Sequence, residues 1–99
     1  MTADLTLTGT LPLRESIDVM HTRCAVCGAV GDLLLPDQPI LEAIEEGHAH
    51  VRRRHATRSA VYVLDVVATM AYLPHGTTDA AAWLAGYNER TRSSRGMTA

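Results

Sequence analysis

The chain has 99 residues, 46% of them hydrophobic and 20% charged, with a formal net charge of −2. That length fits one domain, and the slightly acidic balance excludes a global basic field for nucleic acid, so any such contact must come from a local patch. No apolar stretch reaches the ~20 residues of a membrane span, and Met1-Thr2-Ala3-Asp4-Leu5 lacks the basic region and apolar run of a secretory signal; a cytoplasmic protein without membrane contact is expected. All nine basic residues are arginine, and phenylalanine is absent, a codon usage that fits a GC-rich source such as an actinobacterium or its bacteriophages.

Leu5, Leu7, Leu11 and Leu13 occupy odd positions with threonines between several of them, a period of two that predicts a half-buried strand. Ile17, Val19 and His21 continue the alternation and predict a second strand over Ser16–Thr22, running directly into Cys24-Ala25-Val26-Cys27-Gly28. Gly28 permits a positive φ, and a turn there is expected to aim backbone N–H groups at the thiols. Leu33-Leu34-Leu35 predicts a short strand returning beside the first, stopped by Pro36. Asp37 is the expected N-cap of a helix with Pro39 in its first turn. Along that helix Ile40, Leu41, Ile44, His48 and Val51 recur at helical spacing. Glutamates at its start and arginines at its end complement the helix dipole, and Gly47 weakens its middle by roughly 1 kcal/mol relative to alanine. Ala60 to Leu73 is apolar almost all round and is expected as a buried helix, with Asp65 requiring a partner such as an arginine. Pro74-His75-Gly76 ends it. Thr77 or Thr78 is expected to cap a last helix, with Asp79 in its first turn and Trp83, Leu84 and Tyr87 on its apolar face. The expected organisation is a single zinc-stabilised domain over 1–90 and a mobile basic tail over 91–99. Its fold class is α+β: a small N-terminal antiparallel sheet bearing a zinc turn, followed by two or three helices.

The residues with the most chemical meaning are the pair Cys24 and Cys27 and the histidines of His50-Val51-Arg52-Arg53-Arg54-His55. In a reducing compartment, cysteines at this spacing favour metal or redox work over a structural disulfide. Two thiolates and two imidazoles can close a tetrahedral shell around Zn2+. His50 and His55 lie about 140° apart on an ideal helix, so both reach one ion only if the helix tightens or frays at the second. His21 and His48 are alternative ligands. The competing readings are a pair of unliganded thiols acting as small hydrophobes and a thioredoxin-like redox pair, which would want a helix opening at the first cysteine. A shell of four protein ligands leaves no place for activated water, so the metal is expected to be structural and the protein not an enzyme. Glu45 and Glu46 lie near His48 and His50, but the His-Glu-x-x-His order of a metalloprotease is missing.

The Cys-x2-Cys-Gly turn followed by a helix bearing His-x4-His resembles the Cys2His2 zinc-finger family over about Ile17 to Ala56. The resemblance carries ligand roles onto Cys24, Cys27, His50 and His55. The spacer between the pairs, Gly28 to Ala49, is 22 residues long, where family members have about twelve; base-contacting positions are therefore not carried over. Arg52, Arg53, Arg54 and Arg58 form the densest positive charge, read either as phosphate contacts beside a zinc site or as a solvated helix end balanced by the dipole and the upstream glutamates. The expected function is a small DNA-binding regulator with structural zinc. The alternative is a protein-interaction module, an adaptor, inhibitor or assembly component, meeting a protein partner or a second copy through Ala60–Leu73.

Overall fold

A computed structural model describes residues 14–55 and 63–97. The leucine-rich strand expected before Arg14, and Arg58 of the arginine cluster, lie outside the described residues. Two eleven-residue strands, β1 (Arg14–Cys24) and β2 (Leu64–Pro74), pair antiparallel in a register running from Arg14↔Pro74 to Cys24↔Leu64. Helix α1 (Leu41–Arg54) lies between them in sequence, and helix α2 (Ala80–Thr91) follows β2. The architecture is the expected α+β class, with one correction of substance: the apolar run read as a buried helix is a strand from Leu64 onward. Its Val66, Val67, Thr69 and Tyr72 are β-branched or aromatic, and such side chains sit better on a pleated surface than on a helix. A short, uniformly apolar run gives no period with which to separate the two. Asp65 does meet an arginine, Arg23 at 3.2 Å, but the pair is a half-exposed cross-strand contact, not a buried one.

β1 is bordered on its other edge by the chain that leaves the cysteine turn. Arg23 bridges Val30, and Met20 bridges Leu34 through reciprocal hydrogen bonds of 2.8 Å. Three residues separate Val30 from Leu34 where two separate Met20 from Arg23, so one residue is surplus and the ladder bulges. The expected Leu33–Leu35 strand is accordingly reduced to isolated bridges. Leu33 is instead held by α2: the Asn88 side chain accepts from its N–H at 2.9 Å and donates to its carbonyl at 3.0 Å.

Both helix starts differ from expectation. Pro36 and Asp37 form a turn closed by Gln38, and α1 begins at Leu41 with Ile40 as N-cap and no side-chain cap. Asp79, expected one step inside α2, is itself the N-cap and accepts from the Ala82 N–H at 3.0 Å. The largest correction after β2 is the C-terminal segment. It does not detach as a tail at residue 91. A 3-10 turn (Arg92–Ser94) leads to Arg95, whose guanidinium reaches Asp32 at 2.7 Å, and to Met97, which is 2% exposed.

Among the described residues, Cys24, Ala29, Val51 and Met97 form a buried apolar cluster with Val63 and Leu64 packed against it, and Val19, Leu73 and Leu84 are buried besides. α1 approaches β2 closely at Gly47, where an added Cβ would stand 2.6 Å from a Leu64 methyl. A domain of this size gains stability from any metal cross-link.

Candidate metal centre

Cys24 ends β1 and is fully buried, and Cys27 ends the tight turn that follows and is exposed. The turn is closed by the Gly28 N–H donating to the Cys24 carbonyl at 2.8 Å, with Gly28 at φ +81° where an L side chain would be strained. Two donors of the turn, the Gly28 N–H and the Ala25 N–H, serve carbonyls, the latter that of Val63 at 2.7 Å. Across from the turn stands the C-terminal end of α1. His50 is 2% exposed and lies on the helix face shared with Val51 and Gly47.

His55 solves the angular problem that the sequence poses. The helix ends at Arg54, and His55 is its C-cap with φ −138° and ψ 56°, its N–H still bonded to the Val51 carbonyl at 2.7 Å. Leaving helical geometry at that residue swings the ring back toward its neighbour, and the two imidazole centroids stand 5.3 Å apart, edge to face. One ligand atom from each of Cys24, Cys27, His50 and His55 can be chosen so that no two lie more than 4.8 Å apart. Bond lengths of ~2.3 Å to sulfur and ~2.0–2.1 Å to nitrogen place the donors of a tetrahedral zinc roughly 3.3–3.8 Å from one another. Cys27 Sγ and His50 Nε2, at 3.3 Å, already stand at that spacing; the widest pair needs a contraction of about 1 Å, within the reach of small χ rotations.

Two further observations fit a metal. The Nε2 of His55 and the Nδ1 of His50 are buried without hydrogen-bond partners, a state that costs about 1–3 kcal/mol for each neutral polar group. An ion among these donors gives the His55 nitrogen a use; His50 presents its Nε2, not its Nδ1, to Cys27. Burial, followed by the nearby His55 and Arg54 charges, lowers the pKa of His50, and the Met97 backbone only partly opposes this. The neutral ring thus favoured is the form that binds a metal.

The alternative ligands are placed elsewhere. His21 stands on β1 at odd separation from Cys24, hence on the opposite face of the strand, with its Nδ1 2.9 Å from the Thr22 carbonyl oxygen. His48 precedes His50 by two positions, about 200° around α1, and does not join the cluster. Arg52, Arg53 and Arg54 are exposed on the last turn of α1, and Arg54 lines the open pocket that gives onto Cys27, His50 and His55. Sequence reading missed Ser93 and Gly96 on the other wall of that pocket and Met97 beneath it; a short polar C-terminal stretch carries no periodic signal that could have revealed them.

Comparison with protein-family models, with curated proteins and with solved structures found no match to the chain. No helix among the described residues is long and apolar enough to cross a membrane. The cluster of two cysteines and two histidines fits a small metal-binding protein, and the donor set is that of structural zinc sites.

Proposed function

We propose that this chain is a small structural-zinc protein and that its ion ties the Cys24–Cys27 turn to the end of α1, presenting an arginine-bearing helix terminus to DNA. The observation that carries the zinc reading is the convergence of four soft or borderline donors, two sulfurs and two imidazole nitrogens, from segments far apart in sequence. A closed set of four protein ligands is a structural arrangement and supplies no open position for catalysis. The nucleic-acid reading rests on Arg52, Arg53 and Arg54, all exposed on the helical turn that the metal would immobilise between His50 and His55. Phosphate contacts of that kind position a protein on a duplex without reading its sequence. Elemental analysis of the purified chain should give one zinc per molecule. Affinity for duplex DNA should fall steeply with salt, and Arg53→Ala with Arg54→Ala should reduce the log–log slope by about 2. Absence of DNA binding at low salt would remove the regulator reading and leave the zinc reading standing.

A second reading, a protein-interaction module, is favoured by β2. Val66, Met70 and Tyr72 lie on one face of that strand and are each more than half exposed. The outer edge of β2 has no strand partner among the described residues, and an exposed apolar strand edge is a template for a further chain. Sedimentation over a concentration series, with Val66→Thr and Met70→Gln as controls, tests it.

A further inference from the structure

We infer, resting on the zinc reading above, that Cys24 and Cys27 form a reversible peroxide-sensitive switch: a hydroperoxide oxidises Cys27, Cys24 closes a disulfide onto it, and the end of α1 is released from the turn. The two sulfurs differ in access. Cys27 is exposed and lines an open pocket of about 490 Å3 whose walls include Arg54 and Ser93. A water molecule claims about 30 Å3 in the liquid, so hydrogen peroxide and small organic hydroperoxides have room to enter. Cys24 is 0% exposed and packs with Ala29, Val51 and Met97. An oxidant therefore meets Cys27 first. The resolving thiol is within reach, because the Sγ atoms of Cys24 and Cys27 lie no more than 4.8 Å apart. They flank a turn closed by the Gly28 N–H on the Cys24 carbonyl at 2.8 Å. A disulfide requires Cα atoms about 4.4–6.8 Å apart, a separation that residues three apart in a closed turn provide. The chain has two cysteines, so no third thiol competes for the pairing.

Metal-bound cysteines are thiolates, the form that oxidants attack. The Cys27 sulfur attacks the hydroperoxide, forming an S–O bond and breaking the O–O bond. The displaced hydroxide or alkoxide takes up a proton and leaves as water or alcohol. The Cys24 sulfur then attacks the sulfenic sulfur of Cys27, forming the S–S bond and expelling hydroxide, which takes up a second proton. The two thiolates have together given two electrons to the peroxide bond, and the charge of Zn2+ is unchanged. Two imidazoles alone do not complete a tetrahedral shell, so the ion is given up. The Cys24 sulfur is still apolar as a disulfide and keeps its place beside Ala29, Val51 and Met97. His50 and His55 lose their tether to the turn. A dithiol reductant reverses the change by thiol–disulfide exchange.

The test treats the zinc-loaded full chain with hydrogen peroxide beside a chromophoric chelator too weak to strip the reduced site. Zinc release should follow disulfide formation one for one, the latter seen by mass as the loss of two hydrogens, and a dithiol should restore zinc uptake. A cyclic-diketone probe for sulfenic acid, present during the oxidation, should label Cys27 and leave Cys24 unlabelled, a readout that needs no variant to fold. In Cys24→Ser that label should accumulate on Cys27. In Cys27→Ser the remaining thiol should be lost at least about tenfold more slowly than Cys27 is in Cys24→Ser, following exposure. In the oxidised parent, amide exchange over the last turn of α1 should quicken, while the Cys24 N–H, bonded to the Ala29 carbonyl at 2.8 Å, stays protected. Zinc retained in excess peroxide, first labelling at Cys24, or disulfides formed between chains overturns the switch and leaves the zinc reading standing. A reduced parent that takes up no zinc overturns both.

Discussion

Replacing the two cysteines one at a time separates packing from coordination, because the fold places them in opposite environments. Cys27 is exposed, so Cys27→Ser removes a metal ligand and little else; surface substitutions of that kind stay within about 0.5 kcal/mol. Cys24 is 0% exposed and packs with Ala29, Val51 and Met97. Cys24→Ser therefore removes a ligand and also buries a hydroxyl in an apolar site, costing about 1–3 kcal/mol. With a chelator present, Cys27→Ser should melt with the parent, and Cys24→Ser should lie about 1–3 kcal/mol below both. With free zinc at a thousand times the dissociation constant, the ion adds about 4 kcal/mol to the parent. Both variants should forfeit most of that increment while the gap between them stays the same. Thermal or urea unfolding under reducing conditions, run in zinc and in chelator, gives the six values. If Cys27→Ser trails the parent by the same margin in both media, coordination is not what that thiol contributes, and the metal centre is refuted.

Gly47→Ala should destabilise the protein although alanine gains about 1 kcal/mol in helix propensity, because the new methyl displaces Leu64, whose side chain lies 2.6 to 3.2 Å from it. Overpacking of this kind costs about 1–3 kcal/mol, and a raised melting temperature would contradict the contact. Asp32→Asn should cost about 2 kcal/mol near neutral pH, the scale of hydrogen bonds to charged groups. Burial alone would raise the Asp32 pKa, but bonds from Arg95 and Arg92 outweigh it and leave the carboxyl below its ordinary 3.8. The stabilisation is thus complete above that value and is lost as pH falls through the depressed one, so parent and variant should converge in strong acid; a gap that instead widens in acid would show the sign to be wrong. Asn88→Ala should lower stability by about 1–3 kcal/mol, since both bonds that hold the Leu33 backbone come from one amide, and amide exchange at Leu33 should quicken selectively.

Local patterns with a clear period were legible in the sequence. The alternation of Ile17, Val19 and His21 lies within β1, the 3.6-residue spacing of Ile44, His48 and Val51 within α1, and Trp83, Leu84 and Tyr87 within α2. Ala60 to Leu73 had no period to read. Which structure it takes from Leu64 onward is decided by pairing with β1, a partnership about fifty residues distant in sequence. The caps failed for a related reason: Asp37 is a good capping residue, yet Gln38 closes a turn on Leu35 first and delays the helix to Leu41. Arg92 to Met97 reads as a polar tail because part of its order comes from Asp32 and Val30, at least 60 residues away in sequence.

The four donors that converge could be picked out from the sequence, and the path of the long spacer between them explains how they meet. In a compact Cys2His2 finger about twelve residues are enough to carry the chain from the turn to the histidine helix. Here the 22 residues of Gly28–Ala49 first run back along β1 as far as Leu34, turn at Pro36–Asp37, and return through most of α1. Outward and return paths cancel, so His50 arrives beside the cysteine turn despite the added length. Two constraints fix the arrival point: β1 must keep its bridges to Val30 and Leu34, and Gly47 must clear Leu64, the register partner of Cys24. The four candidate donors converge over that longer path, whereas the pose of α1 is set by the detour along β1 and not by the spacing of a compact finger. The DNA contact proposed above must therefore be tested at Arg52, Arg53 and Arg54 themselves and not at positions carried over from Cys2His2 fingers.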